Sequence, residues 1–335
     1  MTHEEVIGLD DVGRWKEALE TLPHGWAHTW ESCHANYLST NQRTFLYRGE
    51  TQGSRVVCPI AERLIDEHVD IVTPSGFSGF VGTGEWHDFP QRFRDFARSR
   101  GYVCGYIALN PLYGDASYVD PDEIYPNTYV YVLDMTVGLD VLHDRLSRNR
   151  RRELRAWSPG MHDLDRARLR EFLFTHYGAF MERRGAAPQY RYDARTLEAI
   201  CASGNVLMFG AESNGCVEAV RVVGYTPYGA DDLFLVSTDE GSRHAAGLAW
   251  SAMHRLTELG VPTYNLGGGV TPGDAVAQAK ERFRPARLPL NGLKQVYDRQ
   301  AYDELCRRYG QRRDVHPGYF PPYRTTHGAP VRAIP

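Results

Sequence analysis

The pattern of apolar and polar positions predicts a unit of helices and strands in the first third of the chain. Its segments, in order, are a helix at 26–38, strands at 44–49, 55–65 and 68–74, a helix at 88–99 and a strand at 102–109. A "TQGS" turn signal separates the first two strands, so we expect an antiparallel meander. The glycine-rich stretch "PSGFSGFVGTGE" then precedes the second helix, which Gly101 is expected to end.

The second half of the chain repeats this order. Its segments are helices at 139–157 and 165–183, strands at 205–211, 216–226 and 232–238, a helix ending at Leu259 and a strand at 262–268. The repetition predicts an α/β (α+β) fold of two tandem units, each a mixed, mostly antiparallel sheet flanked by helices. We expect the units to be 1–133 and 134–335, with 134–157 as a hinge and the Pro/Gly-rich tail from 314 as extended strand or loop.

Apolar residues at helical spacing mark the faces that should be buried. In the three most periodic helices these are Phe89, Phe93, Phe96 and Ala97; Leu169, Phe172, Leu173, His176, Tyr177 and Phe180; and Leu248, Ala249, Ala252, Met253, Leu256 and Leu259. The glycines Gly185 and Gly260 follow the second and third of these faces and are the predicted stops.

Composition and charge describe an ordinary globular protein. Of the 335 residues, 42% are hydrophobic and 24% charged, and no apolar run approaches the ~20 residues that span a bilayer, so no membrane partner is expected. The acidic start "MTHEEVIGLDD" lacks a signal pattern, which favours a cytoplasmic protein. The six cysteines are scattered without metal-ligand spacing, so we expect reduced thiols and no metal, while the oligomeric state is left open. The net charge of −4 argues against wholesale capture of nucleic acid but permits a local basic patch.

Lysine is rare in this chain, which makes the stretch "VAQAKERFR" at 276–284 a candidate functional segment. The chain holds 38 Lys and Arg residues, and the lysines are Lys16, Lys280 and Lys294. Because a lysine ammonium is a compact point charge whose pKa shifts readily, Lys280 suits contact with an oxyanion or proton transfer. The alternative for Lys280 is a solvated surface side chain.

A meander followed by a glycine-containing loop that opens a helix resembles the GNAT acyltransferases. There, loop amides and the helix N-terminus receive a diphosphate. The corresponding loop here is His244-Ala245-Ala246-Gly247-Leu248-Ala249, with His where the superfamily has Gln or Arg. The fuller pattern, "DRLSRNRRRELRAW", "FMERRGAAPQY", "LVSTDEGSRHAAGLAWSAMHRLTELGVPTYNLGG" and "AKERFRP" in that order, resembles the FemAB-like double-GNAT family over roughly residues 25–298.

The resemblance implies an activity. Fem enzymes pass an amino acid from aminoacyl-tRNA to an amine of a peptidoglycan precursor, and relatives make amide bonds on small molecules. Such an enzyme needs aminoacyl-tRNA as co-substrate and no other cofactor, with a small-molecule amine as acceptor. The late family signature F-K-x-x-F-G appears as Ala279-Lys280-Glu281-Arg282-Phe283-Arg284, and the family's lysine is implicated in stabilising the transition state. Two alternatives remain: a GNAT enzyme that uses acetyl-CoA or another acyl-CoA, and a non-catalytic double-GNAT binding module.

The resemblance also suggests binding residues. On the donor side, residues 134–335, the catalytic candidate is Lys280, and Gly267 and Gly268 of a "GGG" run are candidate amide donors beside it. The donor itself would be bound by His244 and Gly247 of the loop and, through tRNA phosphates, by Arg148, Arg151 and Arg152. Ser237 and Tyr264 are expected beside the acyl group. The acceptor candidates are Arg183, Arg184 and Tyr190 for a diphosphate, with Trp30 and Phe77 from the first unit lining a pocket. Simpler interpretations stay open: helix-dipole arginines, a solvated connector helix and ordinary packing.

Overall fold

The structure is a computed structural model that describes residues 2–157, 165–186, 190–268, 274–314 and 318–325. It divides into two compact units. The first unit comprises the chain up to Cys33, then Asn41–Thr128, and the chain from Pro289 onward; the second comprises His34–Thr40 and Tyr129–Leu288. In the described part of the chain, no helix is long and apolar enough to cross a membrane.

Helices and strands alternate along the chain in the predicted manner. The α-helices are α1 Val12–Leu19, α2 Trp30–Thr40, α3 Phe89–Ser99, α4 Leu139–Arg145, α5 Arg148–Arg155, α6 Arg166–Arg183, α7 Ala194–Ala202, α8 Ala245–Glu258, α9 Ala275–Glu281 and α10 Arg299–Arg308. The strands are β1 His3–Gly8, β2 Thr44–Glu50, β3 Arg55–Ile65, β4 His68–Val72, β5 Val81–Thr83, β6 Tyr102–Ala108, β7 Ile124–Asp134, β8 Val206–Ser213, β9 Cys216–Thr226, β10 Gly229–Ser237, β11 Thr263–Asn265 and β12 Ala286–Val296.

The sheet of the first unit is mostly antiparallel. Its strand order is β1-β2-β3-β4-β6-β12, with β5 paired to β3. The meander β2-β3-β4 is antiparallel as predicted, β4 and β6 are parallel, and β12 joins β6 antiparallel. The predicted face of α3 is buried against this sheet in an aromatic core that includes Tyr47, Phe80 and Tyr118.

The sheet of the second unit has the same order. Its strands run β8-β9-β10-β11-β7: the meander β8-β9-β10 is antiparallel, β11 is parallel to β10, and β7 is antiparallel to β11. Helix α8 buries its predicted face against this sheet, except that Leu259 is 38% exposed. In α6 the side chains of Leu169, Phe172, Leu173 and Tyr177 are buried, and Leu169 fits against Gly210 of β8.

The two units therefore repeat one α/β arrangement: a three-strand meander, a helix and a parallel strand. Next to the parallel strand each unit has one further antiparallel strand, β12 in the first and β7 in the second, and the first unit also contains β1 and β5. The expected fold of two tandem units with mixed, mostly antiparallel sheets is confirmed. The predicted helix stops are also confirmed, because Gly101, Gly185 and Gly260 adopt φ values of +71°, +61° and +69° after α3, α6 and α8.

The structure differs from the sequence prediction in two places. The predicted helix 139–157 is two helices, because Leu146 and Ser147 leave the helical conformation and the Ser147 hydroxyl accepts a hydrogen bond from the Arg150 amide to cap α5. The predicted second unit, 134–335, is shorter here, since β12 from Pro289 onward and α10 belong to the first unit. The tail contains a short 3₁₀ turn, Pro322–Arg324, while 315–317 and 326–335 lie outside the described residues.

Candidate functional site

A cleft opens in the second unit where the parallel strands β10 and β11 part. Their pairing is limited to Ala230 with Tyr264 and Asp231 with Asn265, after which β10 continues to Ser237 paired with β9 but not with β11. A register shift between Asp232 and Phe234 bends β10 at the same point. The residues predicted to lie beside the acyl group, Ser237 and Tyr264, belong to these two strands, and their role stays a prediction.

The corresponding strands of the first unit stay closed. There β4 and β6 pair through Val72 and Tyr106, and Thr73 extends the contact: its amide donates to the Tyr106 carbonyl at 3.1 Å, and its hydroxyl accepts from the Ala108 amide at 3.0 Å. The two units therefore differ in how far their parallel strands stay paired. The parallel strands part in the second unit, and they stay paired in the first.

Lys280 lies in the last turn of α9, with its amine beside Gly268, three residues beyond the end of β11. Its Nζ donates to the Gly268 carbonyl at 2.5 Å, and a Cβ placed on Gly267 would lie 3.4 Å from Nζ. Gly267 has φ +73°, a backbone conformation that glycine favours. The side chain is only partly exposed. The structure thus places the rare lysine beside the glycine run that the sequence singled out.

Burial lowers the pKa of Lys280 to about 8. The carboxylates of Asp232 and Asp274 oppose this shift by favouring the charged form, whereas the Arg221 guanidinium reinforces it. An ammonium with such a pKa is mostly charged at neutral pH and loses its proton readily. That combination suits a group that meets developing negative charge.

Helix α9 is held in place by contacts on both sides of Lys280. The buried Arg150 of α5 donates to the Ala279 carbonyl at 3.0 Å, and its guanidinium lies 4.5 Å from the centre of the Phe283 ring. On the other side, the Tyr131 hydroxyl of β7 donates to Glu281 at 3.2 Å. The Phe283 that persists from the family signature is therefore a packing residue, and Lys280 sits between fixed neighbours.

The remaining arginines of α5 point away from this contact. Arg148, Arg151, Arg152 and Arg155 are spaced i, i+3, i+4 and i+7, so they share one helix face opposite Arg150 and Leu154. Three of the four are exposed and Arg151 is half-buried. Within the described residues none of the four forms an ion pair. We call these four residues the α5 arginine face.

The glycine of the predicted diphosphate loop is covered by an indole. A Cβ on Gly247 would lie 2.1 Å from Cδ2 of Trp157, two residues after the end of α5, and the Trp157 Nε1 donates to the Ser251 hydroxyl at 3.2 Å. The His244 imidazole is engaged by Glu218, with 3.1 Å between Nε2 and the carboxylate. The Ala245 amide donates to the Ser242 carbonyl of the preceding 3₁₀ turn. The loop 244–249 is thus packed rather than open.

The other donor-side candidates lie near the cleft but differ in accessibility. Tyr264 is fully buried and donates to Asp232 at 3.3 Å, and Ser237 is buried at the end of β10. The Gly267 amide, predicted as a free donor, already donates to the Asn265 side chain at 2.9 Å. Gly268 contributes its carbonyl to Lys280, while Gly269, the third glycine of the run, lies outside the described residues.

The acceptor candidates are distributed over both units. Arg183 and Arg184 are exposed at the end of α6, with guanidinium groups 5.9 and 5.2 Å from the Phe180 ring centre. The Tyr190 carbonyl accepts from the Tyr177 hydroxyl at 2.7 Å.

In the first unit, Trp30 packs against the α1 core and donates to the Leu9 carbonyl at 2.8 Å. The Phe77 carbonyl accepts from the Asn110 side chain. These contacts describe Trp30 as a packing residue, and the predicted pocket with Phe77 stays a prediction.

Sequence reasoning missed a buried ionic network under the cleft. Arg221 of β9 forms a 2.5 Å ion pair with Asp232 and donates to the Ala245 carbonyl at 3.0 Å. A signal was present, because an arginine inside the apolar run "AVRVVG" requires a buried partner. Among the residues described, no group of three or more His, Cys, Asp or Glu is placed to hold a metal ion.

Comparison with known proteins supports the fold assignment. No protein-family model and no curated protein matches the sequence. Among solved structures, FemX matches with a TM-score of 0.67 at 10% identity, covering 90% of this chain and 99% of that one. A conserved protein of unknown function from Bacteroides thetaiotaomicron matches at 0.58 and 10% identity, covering 88% of this chain and 100% of its own. The C-terminal DUF2156 domain assigned to a lysylphosphatidylglycerol synthetase from Agrobacterium fabrum matches at 0.53 and 14% identity, with 89% and 96% covered. The chain therefore shares the fold of FemX, as the sequence resemblance to the FemAB-like double-GNAT family predicts.

Proposed function

We propose that this protein is an aminoacyltransferase that passes an amino acid from aminoacyl-tRNA to the amine of a small-molecule or cell-wall precursor. The observation that carries the proposal is the arrangement of α5. One face of this helix clamps α9 beside Lys280 through Arg150, and the opposite face presents four arginines that form no ion pair within the described part of the chain. A polyanion bound to the α5 arginine face would be held by the same helix that fixes α9 and Lys280.

The chemistry follows from the position of Lys280. The acceptor amine attacks the ester carbonyl, a C–N bond forms, and negative charge develops on the carbonyl oxygen. The C–O bond to the ribose then breaks, and the ribose oxygen leaves as a hydroxyl with the proton that the amine gives up. A charged Lys280 in the cleft meets that oxygen with a donor that needs no reorganisation. The hydrogen bond from Nζ to the Gly268 carbonyl uses one of the three ammonium protons, which leaves two for the substrate.

The packing of the loop 244–249 disfavours an acyl-CoA donor. A GNAT enzyme that binds CoA needs open amides at the start of the helix for the diphosphate. Here the Trp157 indole lies directly on Gly247, and His244 is engaged by Glu218. An aminoacyl ester on tRNA carries no diphosphate at this position, so a packed loop is compatible with it.

A donor-competition experiment tests the proposal. The protein is incubated with a pool of tRNAs charged with labelled amino acids and a small-molecule cell extract, and label that becomes stable to base is measured. We expect transfer that RNase pretreatment abolishes and that acetyl-CoA does not restore. Turnover with labelled acetyl-CoA in the absence of RNA would refute the proposal and favour the acyl-CoA alternative.

A further inference from the structure

An exposed tyrosine of β7 is the neighbour of a residue that holds α9 in place. Tyr129 and Tyr131 are two residues apart in the strand, so their side chains leave the same face of the sheet. The Tyr131 hydroxyl donates at 3.2 Å to Glu281, which adjoins Lys280 in α9. Tyr131 is buried, whereas Tyr129 is 45% exposed. Tyr129 therefore presents an aromatic ring to solvent on the face of β7 that contacts α9.

The backbone that holds Lys280 also runs beside this part of β7. The Tyr131 amide donates to the Gly267 carbonyl at 3.1 Å, and the next residue, Gly268, accepts from Nζ of Lys280 at 2.5 Å. Because β7 and β11 are antiparallel, the chain moves toward Tyr129 as it leaves β11. Direct contacts thus relate Tyr131 to both the backbone and the helix of the Lys280 site, and Tyr129 is the next side chain on the same face.

A guanidinium lies over the Tyr129 ring. The central carbon of the Arg287 guanidinium is 4.7 Å from the ring centre, within the range of a cation–π contact. In the part of the chain that the structure describes, no other ring or cation stacks on Tyr129. An exposed ring with a planar cation on it offers a π surface to a flat ligand, because both groups stack on aromatic rings.

The segment from the end of α9 to Arg287 is basic. Arg282, Arg284 and Arg287 are exposed, and among the described residues none of the three forms an ion pair. The Arg284 amide donates to the Glu281 carbonyl at 2.9 Å, which keeps the segment wound against α9. Arg284 adopts φ +57°, a left-handed conformation that is unfavourable for an L-residue. Backbone preference therefore does not explain an arginine at this position, whereas contact with a phosphate would.

A stacking ring among unpaired arginines is the chemistry by which proteins bind unpaired nucleotides. Every base has a π face that can stack on an aromatic side chain, and the phosphates between bases are met by basic residues. We propose that Tyr129 and Arg287 form a platform on which an unpaired base at the 3′ end of the donor RNA stacks. Arg282 and Arg284 contact the neighbouring phosphates. We call Tyr129 and Arg287 the 3′-end platform.

The identity of the ligand rests on the proposed function, in which the donor is an aminoacyl-tRNA. The exposed ring, its guanidinium partner and the unpaired arginines are features of the protein itself. Stacking of a base needs no ester and no acceptor amine. Binding to the 3′-end platform can therefore be measured with uncharged RNA, apart from any transfer.

The test compares two RNAs: an uncharged tRNA, and the same tRNA trimmed of its unpaired 3′ nucleotides. The wild type should prefer the intact tRNA. Tyr129→Ala should weaken binding of the intact tRNA by roughly 5- to 100-fold, the loss of one stacked base, and should bind the trimmed tRNA as the wild type does. Its salt dependence should be unchanged, because the ring neutralises no phosphate.

Two further substitutions at position 129 separate stacking from packing. Tyr129→Trp keeps a π face and should retain the preference for the intact tRNA. Tyr129→Leu keeps apolar volume without a π face and should behave like Tyr129→Ala. The matched control is Phe174→Ala, because Phe174 of α6 is 42% exposed and has the Arg170 guanidinium 5.9 Å from its ring centre. This control should bind both RNAs as the wild type does.

Equal affinity of the wild type for the two RNAs, or an unchanged preference in Tyr129→Ala and Tyr129→Leu, would overturn the proposal. The transfer assay decides the proposed function separately. RNA-dependent transfer with a preference that does not depend on Tyr129 would remove the 3′-end platform and leave the function in place. A preference that depends on Tyr129, without transfer by the wild type, would support the platform and contradict the proposed function.

Discussion

At the scale of single residues, Lys280 carries its charge in a buried position, and burial disfavours the charged form. Burial lowers its pKa, and the nearby carboxylates restore part of the loss. Arg284, four residues later, occupies a left-handed conformation at φ +57° where the family signature has glycine. The burial of the Lys280 charge and the left-handed backbone of Arg284 each cost free energy, and each leads to a testable prediction.

The pH dependence of transfer should reflect the charge of Lys280. The ammonium is needed in its protonated form, so kcat/KM should fall as pH rises through about 8, the pKa of this lysine. Lys280→Arg should transfer slowly, because a planar guanidinium replaces a compact ammonium poorly. Its kcat/KM should no longer fall at high pH, since arginine stays charged. A wild-type profile that is flat from pH 7 to 10 would be inconsistent with a catalytic ammonium.

Replacing Arg284 by glycine should stabilise the protein. An L-residue in the left-handed region costs ~1–2 kcal/mol, and the extra chain entropy of glycine offsets ~0.5–1 kcal/mol of the relief. Urea denaturation should therefore show a net gain of about 0.5–1 kcal/mol for Arg284→Gly. The matched control is Arg282→Gly, at φ −66°, which should lose stability by about 0.5–1 kcal/mol. Equal losses in both variants would show that Arg284 makes a compensating contact.

At the scale of elements, α5 connects the cleft, the α8 start and the arginine face. Its C-terminal neighbour Trp157 covers Gly247, its buried Arg150 holds α9, and its outer face is basic. Helices α6 and α8 offer a comparison, because each contains one interior glycine in a different environment. A Cβ placed on Gly178 would have open space within 4 Å, whereas Gly247 lies under the indole.

The two helix glycines should respond oppositely to alanine. Gly178→Ala should gain ~0.5–1 kcal/mol from helix propensity. Gly247→Ala should lose about 1–3 kcal/mol, because its Cβ would lie 2.1 Å from Trp157 and the indole must move. Thermal and urea unfolding of both variants checks this. If Gly247→Ala were as stable as the wild type, close packing would not be the reason for glycine at this position.

The α5 arginine face should govern the salt dependence of tRNA binding. Changing Arg148, Arg151 and Arg152 to Gln should weaken binding and lower the slope of log K against log salt by about 0.7–0.9 for each phosphate that is no longer neutralised. The control is Arg195, Arg255 and Arg299 changed to Gln, because these arginines are also exposed but lie on α7, α8 and α10. Equal slopes for the two triple variants would indicate that α5 is a structural connector.

At the scale of the whole molecule, the repeated order of helices and strands was predictable from the sequence. The strands β7 and β12 were not. The meanders and the helices α3, α6 and α8 have strong periodicity, so their order and core faces follow from the sequence. The strands β7 and β12 were missed because Pro126, Pro289 and Gly292 interrupt their apolar patterns. Helix α9 has seven residues, too few for a periodic signal.

The candidate site was predictable only in part. Lys280 was found from its rarity and from the family resemblance. The Arg221–Asp232 pair depends on strand register and on a bulge that no local pattern encodes. The packing of Trp157 on Gly247 joins residues far apart in the chain, so it required the tertiary fold. The closed strands of the first unit and the open cleft of the second also emerge only in three dimensions.

Single-turnover transfer from charged tRNA by Lys280→Met, with Lys16→Met as the matched control, tests the catalytic role of Lys280. Methionine removes the charge and keeps most of the side-chain volume, and Lys16 is a surface lysine paired with Glu31. Loss of an oxyanion donor should slow the chemical step by ~100- to 1,000-fold with little change in tRNA binding, while Lys16→Met should match the wild type. A wild-type transfer rate in folded Lys280→Met would contradict the assignment of catalysis to the second unit's cleft.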